Sequence, residues 1–203
     1  LFFDDFSGPL GADYTATFPN PWDRTYLGPS GYSFQTIDGA GVIRLQNTMG
    51  NATVRGWSSF AAYPADGSLR LEARFNTLIQ SPTTGIDDML GLWIFDAANL
   101  SRFDHVALVA PGYGTYRYSF AYSSIAGGAI MWSPFPVTNN TWYRLVITGS
   151  PTQSIRVSIF DDSGTVELAG VDTGHSLTAF PSGIRFGMSQ GMGLPFGDRK
   201  SVV

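Results

Sequence analysis

The sequence contains no cysteine, a single lysine (Lys200) and two glutamates (Glu72 and Glu167). Without cysteine there are no disulfides, no thiolate catalysis and no cysteine-based metal site, and the redox compartment stays open. Basic residues are few and the arginines are scattered singly, so the chain has no basic stripe to meet nucleic acid or an anionic membrane. Charged residues make up 14% of the chain, with a net charge of −4, against the ~25% usual for a soluble domain. The surface must therefore rely on Ser, Thr, Asn, Gln and Gly, which suits a protein surrounded by neutral polymers. No apolar run is long enough to span a bilayer, and no amphipathic helical pattern would lie on one.

What the chain does have is apolar and aromatic material: 43% hydrophobic and 14% aromatic residues over 203 positions. That is enough for one domain with a sizeable core. Two-residue alternation dominates and helical periodicity is nearly absent. In "SLRLEARF" Leu69, Leu71, Ala73 and Phe75 share one face while Arg70, Glu72 and Arg74 share the other. "SIRVSIF" (154–160) and "GIRFGM" (183–188) repeat the pattern. Each reads as a half-buried strand with a wet outer face. Turn signals separate the runs: "IDGAG" at 37–41, "PADGS" at 64–68, "DDSGT" at 161–165 and "FPSG" at 180–183. Roughly a dozen short strands punctuated this way predict an all-β, two-sheet antiparallel sandwich. A short helical turn is expected near residues 96–101. No linker or internal repeat divides the chain.

The end of the chain stands apart. Lys200 lies in the final "GDRKSVV", whose last six residues resemble the translation of a sequencing adapter. The expectation is a single domain over residues 1–197 that lacks its native C-terminal strand, followed by a non-native tail, 198–203, that is loose after Gly197.

The order of segments carries a resemblance. "FFDDFSG" opens the chain and is followed by "GVIRLQN", "SLRLEARFNT", "GLWIFD", "TWYRLVI", "IRVSIFDDSGTV" and "GIRFGMSQ". This order resembles the concanavalin A-like lectin/glucanase superfamily, in particular laminin G-like jelly-roll modules of bacterial secreted or cell-surface proteins, over residues 2 to 191. The resemblance implies a jelly-roll sandwich with one concave and one convex sheet, and a secreted or surface location. Relatives with this fold often carry a structural calcium, for which Asp87–Asp88 and Asp4–Asp5 offer oxygen ligands, short of the roughly six to eight that the ion takes, so no metal site is assigned. Turn roles account for Asp87 and Asp88 as well. No other cofactor is implied. Superfamily members include lectins, glycosidases, lyases and adhesion modules, so the fold alone does not choose among them.

The residues narrow the choice. Glycoside hydrolysis asks for two carboxyl groups flanking the scissile bond, and glucanases of this superfamily set them at alternate positions of one strand. Here Glu72 lies between two arginines, which lowers rather than raises its pKa, and Glu167 stands alone. A lyase base would have to be His105 or His175. His105 alternates with Phe103 and Ala107 on a strand and reads as structural, with ligand contact the alternative; His175 reads as a loop residue. No catalytic residue is assigned, and a divergent hydrolase or lyase is the weakest reading.

Two aromatic stretches bear on binding. "TYRYSFAY" (115–122) puts Tyr116, Tyr118, Phe120 and Tyr122 on one face, expected to point into the sandwich because Thr115, Arg117, Ser119 and Ala121 cannot supply a core. In "MLGLWIFD" (89–96) Leu90, Leu92 and Ile94 fill one face, yet Trp93 and Phe95 occupy the other. A strand apolar on both faces has something covering each side, whether a loop or a sugar ring stacked on the indole. Trp57 and Trp132 could line the same side, while Trp142 reads as a packing residue at the start of a strand. The sequence thus predicts a non-catalytic module that binds a carbohydrate or other extracellular polymer, with Trp93 stacking on the ligand and His105 or neighbouring loop amides orienting it. The rival reading is a structural or adhesive domain whose rings are all core.

Overall fold

The computed structural model describes residues 62–77, 88–110, 118–133, 136–138 and 140–190, together with the backbones of strands at 22–25, 32–37, 42–47, 55–59 and 199–202. Among the described residues fourteen strands run in chain order: β1 (Trp22–Thr25), β2 (Tyr32–Ile37), β3 (Val42–Asn47), β4 (Arg55–Ser59), β5 (Leu69–Asn76), β6 (Asp88–Asp96) and β7 (Phe103–Ala110). They continue with β8 (Tyr118–Ser123), β9 (Gly128–Ser133), β10 (Trp142–Gly149), β11 (Ser154–Asp161), β12 (Glu167–Ser176), β13 (Ile184–Gln190) and β14 (Arg199–Val202). They form two seven-stranded antiparallel sheets, ordered β12-β11-β10-β5-β14-β3-β2 and β1-β4-β13-β6-β7-β8-β9. The all-β sandwich expected from alternation is the fold found. No helix among the described residues is long and apolar enough to cross a membrane.

Alternation fixes which side of each strand meets the core. In the first sheet Leu71, Ile147 and Val157 stand side by side across β5, β10 and β11, and Ala73, Leu145 and Ile159 form the next row. In the second, Leu92, Val106 and Ala121 align across β6, β7 and β8. These rows face one another and, with Phe75, Ile94, Phe180 and Phe186, make one core. Closely packed apolar layers of this kind supply most of the stability of a sandwich.

The outer face of the first sheet carries arginines and acids at the intervening positions. Glu72 is bonded by Arg70 and Arg144, each at 2.6 Å. Arg74 grips Asp162 with two hydrogen bonds of 2.6 and 2.8 Å and lies 4.3 Å over the Trp142 ring. Trp142 thus packs at the start of β10, as expected.

One end of the sandwich is tied by Asp96, which is buried. Its Oδ1 accepts hydrogen bonds from the amides of Ala98 and Asn99, and its Oδ2 from that of Ser182. The helical turn expected near residues 96–101 is therefore a carboxylate-capped turn: the side chain takes the amides that a helix would have used. Burial alone would raise this carboxyl; the bonds from Ser182, Ala98 and Asn99 outweigh it and hold it below the ordinary aspartate value. A depressed native value gives stability that is complete above the unfolded value near 4 and is lost as pH falls through the native one. Asp96→Asn is expected to cost about 1–3 kcal/mol near neutrality and to flatten the acid limb below about pH 4. Urea titrations at neutral and acid pH check both.

Three expectations are corrected. The end of the chain is not loose: Arg199–Val202 pairs with β3 over its whole length, and Val202 also pairs with Asn76 of β5. Backbone pairing needs no particular side chains, so a polar segment can complete a sheet. His175 lies in β12 rather than a loop. Gly174, at φ 84°, supplies a local irregularity while the strand continues to Ser176, the partner of Ser154. Finally, Phe120 and Tyr122 point away from the inter-sheet core. Ala121 is in the core, and Ser119 and Ser123 are buried on its side. Small residues suffice there because β12 packs opposite β8, and buried hydroxyls are tolerated once bonded, as Ser123 Oγ is by the Ala126 amide. The side chains of Tyr116 and Tyr118 lie outside the described residues.

Candidate functional site

The outer face of the second sheet is where the chemistry of this chain concentrates. Register places Trp93 opposite His105 and His105 opposite Tyr122; one row along, Phe95 is opposite Phe103, and Phe120 is opposite Ala107. Residues directly opposite share a face, so Trp93, Phe95, Phe103, His105, Phe120 and Tyr122 form one contiguous band across β6, β7 and β8. Trp93 stacks on Phe95 at 5.6 Å with planes 2° apart, and meets Phe103 at 4.9 Å. Phe103 stacks on Tyr122 at 5.6 Å, and Tyr122 on Phe120 at 6.1 Å. Offset contacts of this kind add ~0.5–1.5 kcal/mol each beyond area burial. Phe95, Phe103, Phe120 and Tyr122 are half-buried, on a sheet face that in most sandwiches is polar.

Trp93 and His105 form the floor of this band. Their rings stack at 3.6 Å with planes 13° apart, and they are 6% and 1% exposed. The two candidate binding residues are thus brought together, with the indole face occupied by the imidazole rather than open. Among the described residues His105 Nε2 is buried without a hydrogen-bond partner, and Phe120 stands edge-on to the ring at 6.2 Å. Burial pushes the imidazole down to about 3, so it is neutral wherever the protein is folded near physiological pH. Arg185, opposite Phe95, stands at the far side of the band.

The remaining candidates lie elsewhere. Both glutamates are on the outer face of the other sheet, held in ion pairs. Burial alone would raise Glu72, but the bonds from Arg144 and Arg70 prevail and lower it. Glu167 is not alone: it accepts from Arg156 at 2.6 Å and from Ser158. Glu72 does not fit the protonated carboxyl of a glycosidase. Asp161 caps its hairpin, with Gly164 at φ 75°, as its turn pattern predicts. Among the described residues no group of three potential metal ligands occurs. Asp4, Asp5 and Asp87 lie outside the described residues, and Asp88 is described only as backbone of β6. Trp132 is the register partner of Phe120 and Trp57 that of Met188.

His175, set aside in the sequence as a loop residue, reaches from β12 across the sandwich to Asp104 of β7. Its Nε2 lies 2.9 Å from Asp104 Oδ2, and the carboxylate is fully buried. This pair joins the two sheets within the core and faces away from the aromatic band. A separate open depression of about 640 Å³ at the Asp96 end is lined by Tyr63, Asp66, Pro151, Thr178, Pro181 and neighbouring residues.

What could have pointed to the band was the double apolar character of "MLGLWIFD" combined with the alternation of Phe103, His105 and Ala107. Neither signal gives the register that assembles six rings from three strands.

No family model and no curated protein matches the chain by sequence. Solved structures do match it. Lectin II from Ulex europaeus aligns at TM-score 0.62 and 14% identity, over 98% of this chain and 93% of that one. Peanut lectin with a 9mer peptide aligns at 0.64 and 11%, over 95% and 92%. The β-glucanase of Bacillus licheniformis aligns at 0.53 and 12%, over 94% and 91%. At this identity the likeness is one of architecture, and it agrees with the strand order and the paired seven-stranded sheets. The chain has the concanavalin A-like jelly-roll fold.

Proposed function

We propose that the aromatic band on β6, β7 and β8 recognises carbohydrate, and that the domain is a non-catalytic module of a secreted or cell-surface protein. The observation that carries this reading is the contiguous ring surface on the outer sheet face, half-buried where solvation would favour polar side chains. Sugar rings offer C–H patches to aromatic faces, while their hydroxyls need only a few polar groups for orientation. Phe95, Phe103, Phe120 and Tyr122 would meet the ligand, with Trp93 and His105 beneath them. Two of the three similar structures described above are lectins, and both glutamates sit in ion pairs on the opposite side of the sandwich.

A second reading is a structural or adhesive domain without a small ligand. The burial of Trp93 and His105 favours it. Isothermal titration against cellohexaose, laminarihexaose and mannohexaose separates the two. Recognition predicts measurable heat with at least one of them and its loss in a folded Tyr122→Ala/Phe103→Ala variant. Flat heats for the folded wild type with all three would favour the structural reading.

A further inference from the structure

Resting on the recognition reading above, we infer that His105 is the residue that sets specificity in the band, its Nε2 reading one hydroxyl of a neutral hexose unit. Buried polar atoms in folded proteins are nearly always bonded, and one that is not asks for an explanation. His105 Nε2 is such an atom, and it lies on the same sheet face as four half-buried rings. Its imidazole is held flat on Trp93, so the nitrogen has a fixed direction rather than a range of rotamers. A purely aromatic floor would grip any C–H patch. A single oriented nitrogen beneath it distinguishes sugars by the hydroxyl they can place there, since a site built around one hydrogen bond rejects ligands that leave it unmade.

The ligand class follows from what surrounds the nitrogen. Trp93, Phe103, Phe120 and Tyr122 are uncharged, and Arg185, the basic residue of this face among the described positions, is two strands away in the row of Phe95. A uronate carboxylate beside His105 would lose its hydration without meeting a cation among the described residues, which is costly; a hydroxyl exchanges one hydrogen bond for another. At 1% exposure the nitrogen is reached when a rim ring swings aside. Phe120, edge-on to the imidazole, is the nearest such ring to His105 among the ring contacts.

The test uses the whole chain and isothermal titration with cellohexaose, laminarihexaose, mannohexaose and hexagalacturonate. The wild type is expected to bind a neutral hexaose, and hexagalacturonate at least tenfold more weakly. His105→Phe keeps the ring stack and removes the nitrogen. It is expected to melt no lower than wild type and to bind the preferred hexaose at least tenfold more weakly, with its preference among the three reduced. His105→Gln, which restores a polar atom at similar reach, is expected to recover part of that loss. Should His105→Phe not fold, singly deoxygenated derivatives of the preferred sugar on the wild type take its place, one position alone losing tenfold or more. Unchanged affinity and preference in His105→Phe, equal losses at every deoxy position, or tighter binding of hexagalacturonate would overturn the assignment while leaving recognition by the band intact. Absence of binding to all four by the folded wild type would remove both.

Discussion

Replacing His175 with alanine is expected to destabilise the fold by about 1–3 kcal/mol, the cost of leaving a buried polar group without its hydrogen bond. Asp104 is fully buried in β7, and His175 Nε2 at 2.9 Å is its hydrogen-bond partner. Its other oxygen, Oδ1, has none among the described residues. Losing the imidazole would leave a carboxylate in the core with both oxygens unmet. Asp104→Asn should be milder than His175→Ala, because the amide keeps the shape and can still bond Nε2 without a buried charge. Asp104→Leu with His175→Leu is the decisive variant: apolar replacement of a buried pair is often neutral or stabilising. The double variant is therefore expected to recover most of the loss in His175→Ala. A double-mutant cycle by urea unfolding measures the coupling. Losses that merely add would mean that the pair does not act as a unit.

The His175 to Asp104 contact also marks where reading the sequence stops. Residues 71 positions apart meet only because β12 at the edge of one sheet lies opposite β8 and β9 in the other, with β7 next to β8, and nothing local in "DTGHSL" records that. The fold class was legible because alternation is local: Leu69 to Phe75 announce their inner face without reference to any other strand. Facing was legible only where the two sides differ in polarity. "SLRLEARF" has arginines and a glutamate to exclude one side. In "YSFAY" the choice lay between rings and small residues, and size pointed the wrong way, because the rings on the outer face half-bury one another while bonded serines fill the core side. For the same reason Trp93 and His105 could each be suspected from their strands, but not their stacking, which depends on the register of β6 against β7. The partners of Glu167 were hidden because the arginine that neutralises it lies across the turn, in β11.

Trp93→Ala is expected to cost about 3–5 kcal/mol, the range for emptying a buried aromatic site. At 6% exposure the indole is a floor residue, and its rings contact those of Phe95, Phe103 and His105. The comparison that gives this number meaning is Tyr122→Ala. Tyr122 is half-buried and touches Phe103 and Phe120 along the rim, so its truncation should cost roughly half as much. If the rim meets ligand and the floor holds the rim, the two variants separate. Tyr122→Ala would lose hexaose binding with a modest fall in Tm, whereas Trp93→Ala would lose stability first and binding as a consequence. Trp93→Phe keeps an aromatic floor and should restore most of the stability, and the binding along with it. A Trp93→Ala protein that melts with the wild type yet no longer binds would reverse the assignment. The indole would then be the group that touches the sugar, and the His105 stack would have to open to admit it.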